Sequence, residues 1–337
     1  MNTPKPPANV QKGKSRKEWI DNLRGFCMLA ILLDHTEIYY TGANLIDYNL
    51  YVCNVLAIFF VLAGYLMYKP EKFDIKYRMV SLFRTLLVPY FIFTSLICLP
   101  KAWAHGNDID VAEIVLGIAT GQASWFVAAL CLSEVIFSLM IWAFRGNCIA
   151  ISVCSVCGFA LSACMPAEGQ PCFWQFDNAM QALLFLDMGY LYHRNEVFFS
   201  KLQTRSYTLL LFLLLACVKI YGQCTHADMI IWYINVTNYP LFIADITICT
   251  LLFVQLFKML PTAMWLNWMG RHSLVYYFFC GGVPLLVSKL FIKAGMVYSG
   301  NYLLVVIALI LVYLATTFIA FIVYRYFPFL VGKKRGL

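Results

Sequence analysis

Residues 21 to 35 read Asp21-Asn22-Leu23-Arg24-Gly25-Phe26-Cys27-Met28-Leu29-Ala30-Ile31-Leu32-Leu33-Asp34-His35. The middle of this run has the apolar character of a membrane helix, yet an arginine stands near its start and an aspartate and a histidine close it. An ionisable side chain at bilayer depth costs about 3 kcal/mol or more, so such a residue is a functional-site candidate by default. The chemistry is expected here.

The rest of the chain supplies the setting. Of its 337 residues 62% are hydrophobic and 12% charged, with a mean hydropathy of +0.73, whereas a soluble domain is roughly a quarter charged. These values point to an all-α integral membrane protein. The first nineteen residues are polar and basic, carrying Lys5, Lys12, Lys14, Arg16 and Lys17. No small-residue cleavage site follows the first apolar stretch, which reads as a retained helix and not a removable signal peptide.

A span needs about 20 apolar residues, and the polar punctuation predicts about ten: 21 to 41, 50 to 68, 80 to 100, 123 to 144, 148 to 165, 179 to 193, 206 to 223, 238 to 258, 271 to 290 and 301 to 325. Val111 to Thr120 is expected as an interfacial or re-entrant helix. With the N-terminus placed inside, twenty of the 25 Lys and Arg fall on the same side. That skew predicts cytoplasmic termini. It also accounts for the net charge of +8 as topology and contact with anionic lipid, and gives no support to nucleic-acid binding. One basic segment (1–19), one ten-helix domain (20–326) and one basic tail (327–337) result. There is no linker long enough for a soluble domain, and the oligomeric state is not legible.

Most of the thirteen cysteines lie in apolar runs and read as small core residues. Cys53, Cys164, Cys172 and Cys224 fall near predicted outer helix ends, where an oxidising compartment would permit pairing. No Cys/His spacing resembles a zinc site, and no metal is expected.

Arg24 and His35 are eleven residues apart, within about 20° on one helix face and roughly 16 Å apart along the axis. One face thus carries a cation and, deeper, a titratable base. Gly25 would let a ligand or another helix approach beside the arginine. Asp34 and Glu37 flank His35, and a carboxylate on a histidine nitrogen raises its basicity. Both lie about 100° or more around the helix from it, so Glu134 or Asp187 on another helix would serve equally well, and a purely structural network of these groups is the competing reading. Trp125 and Glu134, nine residues apart, fall on one side of a helix, where an aromatic ring can stack on a sugar. Arg78 and Arg84 sit in the basic second loop.

The chain resembles the membrane-bound acyltransferase 3 family of O-acyltransferases. Ile20-Asp21-Asn22-Leu23-Arg24-Gly25 with His35 matches the family's first-helix pattern, and Phe59-Phe60-Val61-Leu62-Ala63-Gly64-Tyr65-Leu66 its second. Phe83-Arg84-Thr85-Leu86-Leu87-Val88-Pro89-Tyr90, Trp125 to Leu130, Gly189-Tyr190-Leu191-Tyr192 and Gly270-Arg271-His272-Ser273-Leu274 follow in order. Ala63 replaces a usual serine, and Cys280 stands where many members have a second histidine.

The resemblance implies a ten-span enzyme of the bacterial inner membrane that moves an acyl group, most often acetyl, from cytoplasmic acyl-coenzyme A to a hydroxyl of a carbohydrate, glycan or glycan precursor. His35 would be the general base, with Asp34 or Glu37 assisting. Arg24, with Arg78, Arg84 and Arg271, would hold donor phosphates, and Trp125 and Glu134 the acceptor. The alternative is a polytopic exporter of glycan precursors, which would be expected to show repeated halves; none is evident.

Overall fold

The structure, a computed structural model, describes residues 17–105, 110–165 and 172–333, with backbone only over 99–105. Most of the basic N-terminal segment and residues 334–337 lie outside the described residues. The fold is helical: α1 Glu18–Thr41, α2 Tyr48–Met67, α3 Ile75–Leu82, a π-helical turn Phe83–Leu87 running on into α4 Val88–His105, α5 Val111–Ala119, α6 Trp125–Ala143, α7 Cys148–Cys164, α8 Phe176–Arg194, α9 Glu196–Lys201, α10 Arg205–Cys224, α11 Tyr239–Met259, α12 Met264–Arg271, α13 Ser273–Phe279, α14 Gly282–Lys293 and α15 Tyr302–Tyr326. A two-stranded hairpin, β1 Met229–Ile230 with β2 Asn235–Val236, links α10 to α11. Short polar side chains start the helices. Asp47, Asp110, Asn147 and Asn238 each accept from a backbone N–H of the first turn they precede, satisfying donors that have no partner inside the helix.

The expectation of ten spans is not met. Six helices among the described residues are long and apolar enough to cross a membrane, or seven if α13 and α14, bent by 50° at their junction, make one span. The three excess spans are α1, α7 and α8. Helix α7 has only 17 residues. Helix α1 is long enough, but Asp21, Arg24, Asp34 and Glu37 interrupt it, and α8 carries Asp177, Asp187 and Arg194. Asp21, Asp34 and Glu37 of α1 and Asp187 of α8 are at most 4% exposed, so these helices turn those carboxylates inward to protein. The described helices assign no side of the membrane to either terminus, and cytoplasmic termini are not established.

Two backbone-on-backbone crossings hold the centre. A Cβ on Gly270 would lie 1.7 Å from the Asp21 carbonyl oxygen, and one on Gly25 would lie 2.1 Å from that of Leu266. Helices α1 and α12 therefore meet glycine to backbone in both directions, a contact open only to residues without a side chain. Helices α2 and α8 repeat the device, Gly64 against Leu186 and Gly189 against Val61. Ala63 lies beside this second crossing in an apolar cluster with Met67, Phe137 and Leu186.

Polar ties fasten the outer helices. Lys219 of α10 reaches Asp245 of α11 at 2.7 Å and Asn54 of α2 at 2.7 Å. Near the start of α1, Glu196 gathers Lys17 at 2.6 Å, Lys258 at 2.8 Å and the Tyr65 hydroxyl at 2.8 Å. Burial works against the Glu196 charge, but these hydrogen bonds outweigh it and hold the carboxyl down at about 2. All thirteen cysteines are free thiols, including the four considered for pairing.

Candidate active site

The C-terminal half of α1 forms one wall of a cavity of about 750 Å³, closed by α2, α4, α5, the start of α6, the β-hairpin and the break between α13 and α14. The size falls within the range of about 300–1,000 Å³ of small-molecule sites. His35 and Asp34 both line it. Their side chains differ in access: His35 is 32% exposed and Asp34 6%.

The Asp34 carboxylate lies 3.6 Å from His35 Nδ1. That is too long for a hydrogen bond, so the contact is one of charge. Asn44 donates to the other Asp34 oxygen at 2.5 Å, which fixes the carboxylate beside the imidazole. Glu37 is placed otherwise. It is fully buried, accepts from the Tyr302 hydroxyl at 2.5 Å and from the Ile46 N–H at 3.1 Å, and ties α1 to α15 and to the turn before α2. Of the two carboxylates beside His35 in sequence, the structure brings Asp34 to the cavity and gives Glu37 a structural tie.

Trp125 reaches the same cavity. Its ring stacks on Trp232 of the hairpin, centroids 5.6 Å apart and planes within 8°. Trp232 also lines the cavity, and its indole Nε1 is buried without a hydrogen-bond partner among the described residues. Sequence reasoning missed Trp232, which stands in a polar segment with His226, Asp228, Asn235 and Asn238 that reads equally as an acceptor-binding stretch or as wet loop. It also missed Asn44, ten residues from Asp34 in the turn after α1, and Tyr277, hidden in an apolar run. Cys280, at the α13–α14 break, lines the cavity as well.

Glu134 does not accompany Trp125. Nine residues of helix separate them by roughly 13 Å, and Glu134 pairs with Arg78 of α3. Arg24 acts on the same carboxylate. Arg24, Arg78 and Glu134 thus form a second polar group, away from the His35 cavity. Arg271 stands apart, its Nε 3.4 Å from Asp21, which ties α12 to α1 beside the Gly270 contact with the Asp21 carbonyl. Arg84 lies exposed on the π-helical turn, its carbonyl against Gly332. Asp187 is not among the residues lining the cavity that holds His35.

An imidazole beside a buried carboxylate, both lining one cavity, is an arrangement able to move a proton. The acyltransferase 3 model, described as an acyltransferase domain, matches residues 17–325. The chain belongs to this family. No curated protein and no solved structure matches the chain. Together with the apolar helices, membership makes this a multi-pass membrane acyltransferase, of a family that works with acyl-coenzyme A.

Proposed function

We propose that this acyltransferase moves an acyl group, acetyl in the first instance, from acyl-coenzyme A to a hydroxyl of a carbohydrate, a cell-surface glycan or its precursor, in a bacterial inner membrane. The observation that carries the reading is the joint presence of His35, Asp34 and the Trp125–Trp232 stack around one cavity. Flat indole faces suit the faces of sugar rings, and an indole N–H without a partner is a donor available to a sugar hydroxyl.

His35 takes the proton of the acceptor hydroxyl as its oxygen attacks the acyl carbon. The C–S bond of the thioester then breaks and the thiolate leaves with its electron pair. Asp34, positioned by Asn44, favours the imidazolium when ionised; burial and Glu37 raise its carboxyl to about 7. Arg24 lies about 16 Å from His35 along α1, a separation comparable to an extended pantetheine arm. Arg78 pairs with Glu134 and Arg24 acts on the same carboxylate, which gathers two guanidiniums, groups able to engage phosphate bidentately. The residues present therefore fit a polyanionic donor. Arg271 is turned to Asp21 and Arg84 faces outward, so Arg24 and Arg78 are the assigned phosphate contacts.

The test is thiol release by purified protein given acetyl-coenzyme A with and without glycan acceptor. The expected result is acceptor-dependent release of coenzyme A and acylated product. An exporter would leave the thioester intact.

A further inference from the structure

Near the N-terminal end of α1, away from the His35 cavity, a second groove of about 340 Å³ opens between α2, α8 and α11. Leu62, Met188, Leu251 and Val254 make its walls aliphatic, and Trp19, Tyr65 and Tyr192 line it as well. Its volume lies at the low end of the range of small-molecule sites, about 300–1,000 Å³, and suits one narrow chain.

Two observations indicate what enters. The first is charge at the aromatic residues. Lys258 Nζ sits 5.0 Å over the Trp19 ring and 4.8 Å over the Tyr192 ring, and Lys17 Nζ lies 4.9 Å over Tyr65. Both ammoniums share the single carboxylate of Glu196, at 2.6 and 2.8 Å. Two cations to one anion leave this end of the groove positive, which favours a negatively charged headgroup.

The second is a hydroxyl inside the groove. Thr250 is 5% exposed, lines the groove, and its Oγ1 is buried without a hydrogen-bond partner among the described residues. A helical threonine ordinarily donates to the carbonyl four residues back, and Thr247 beside it does so, to Ile243 at 2.7 Å. Thr250 keeps a donor available to an occupant. An ester carbonyl is such an acceptor on an otherwise apolar chain.

We propose that this groove binds one acyl chain of an anionic phospholipid, with the chain along Met188 and Leu251, an ester carbonyl at Thr250 and the phosphate at Lys17 and Lys258. The site is separate from the acyl-transfer cavity and stands independently of the reaction assigned to it.

The experiment is native mass spectrometry of the purified protein after exchange through detergent containing equal amounts of phosphatidylglycerol and phosphatidylcholine. Wild type is expected to retain one phosphatidylglycerol in preference to phosphatidylcholine. Leu251→Trp fills the groove and removes the bound lipid. Lys258→Gln abolishes the preference between headgroups, and the near-isosteric Thr250→Val lowers retention several-fold at an unchanged melting temperature. These two milder variants decide the matter should Leu251→Trp not fold. Equal retention of both lipids by wild type, or retention by Thr250→Val and Lys258→Gln indistinguishable from wild type, overturns the proposal. So does displacement of the lipid by stoichiometric long-chain acyl-coenzyme A, which would make the groove a donor site.

Discussion

Asp34 meets His35 at 3.6 Å, beyond hydrogen-bond reach, and burial with Glu37 nearby raises its carboxyl to about 7, so it helps the imidazole by charge in its ionised form. Asp34→Asn keeps the shape and the Asn44 contact but removes the charge. Turnover is expected to fall about tenfold or more while donor affinity stays at the wild-type value, as read by steady-state kinetics beside calorimetry with coenzyme A. Arg24 makes the converse prediction. A guanidinium engages phosphate bidentately and lysine does not, so Arg24→Ala and Arg24→Lys are both expected to weaken coenzyme A binding. Affinity unchanged in both would reduce Arg24 to a structural partner of Glu134. Glu196 gives a pH signature. Its folded value of about 2 lies below the ordinary carboxylate range, so its contribution to stability is complete above that range and fades as pH falls toward 2. Below the range in which neighbouring His193 titrates, the melting-temperature gap between wild type and Glu196→Gln should shrink as pH falls from about 4 toward 2. A gap that widens over that acidic range would contradict the ion cluster.

The helices explain which motifs were legible and for what reason. Leu23-Arg24-Gly25, Ala63-Gly64-Tyr65, Gly189-Tyr190 and Gly270-Arg271 carry the resemblance in the sequence. In the structure their glycines form the α1–α12 and α2–α8 crossings. Sequence reasoning gave Gly25 a close approach but could not choose its partner, because the facing carbonyl belongs to Leu266, far along the chain. Gly270→Ala is expected to force the crossing apart at a cost of about 1–3 kcal/mol or more. Gly117→Ala, where no atom lies within 4 Å of a Cβ, should be neutral or gain about 0.5–1 kcal/mol of helix stability. Thermal unfolding in detergent compares them. The span count failed for a related reason. Hydropathy windows detect apolar length, but α1 and α8 bury polar side chains inside the protein. Asp34 and Glu37 of α1 lie beside Asn44, Tyr302 and the Ile46 N–H, and Gln181 and Asp187 of α8 lie in the interior; only the packed fold reveals those surroundings. Lys219 and Asp245 show the same physics between α10 and α11. Asp245 is fully buried, so Lys219→Met leaves an uncompensated charge and should cost about 3–5 kcal/mol, with most of it recovered in Lys219→Met/Asp245→Asn.

At the scale of the whole molecule, α1 joins two chemistries. Its arginine end meets Arg78 and Glu134, and its histidine end opens on the cavity of about 750 Å³ with the Trp125–Trp232 stack. The arginine and histidine were legible in the sequence because charge in an apolar helix is conspicuous. The pairing of Glu134 with Arg78 of α3 was not, because a shared helix side with Trp125 does not name the facing element, and Trp232 arrives from a hairpin no periodicity announces. The central claim is that His35 is the base at this cavity. It is tested most directly by acyl-transfer rates of purified His35→Ala and His35→Gln, with melting temperature and coenzyme A affinity measured on the same samples. The account predicts a loss of about 10²–10⁴ in turnover with folding and donor binding intact. Folded protein that keeps more than about a tenth of wild-type turnover would contradict it, because a general base contributes far more than that.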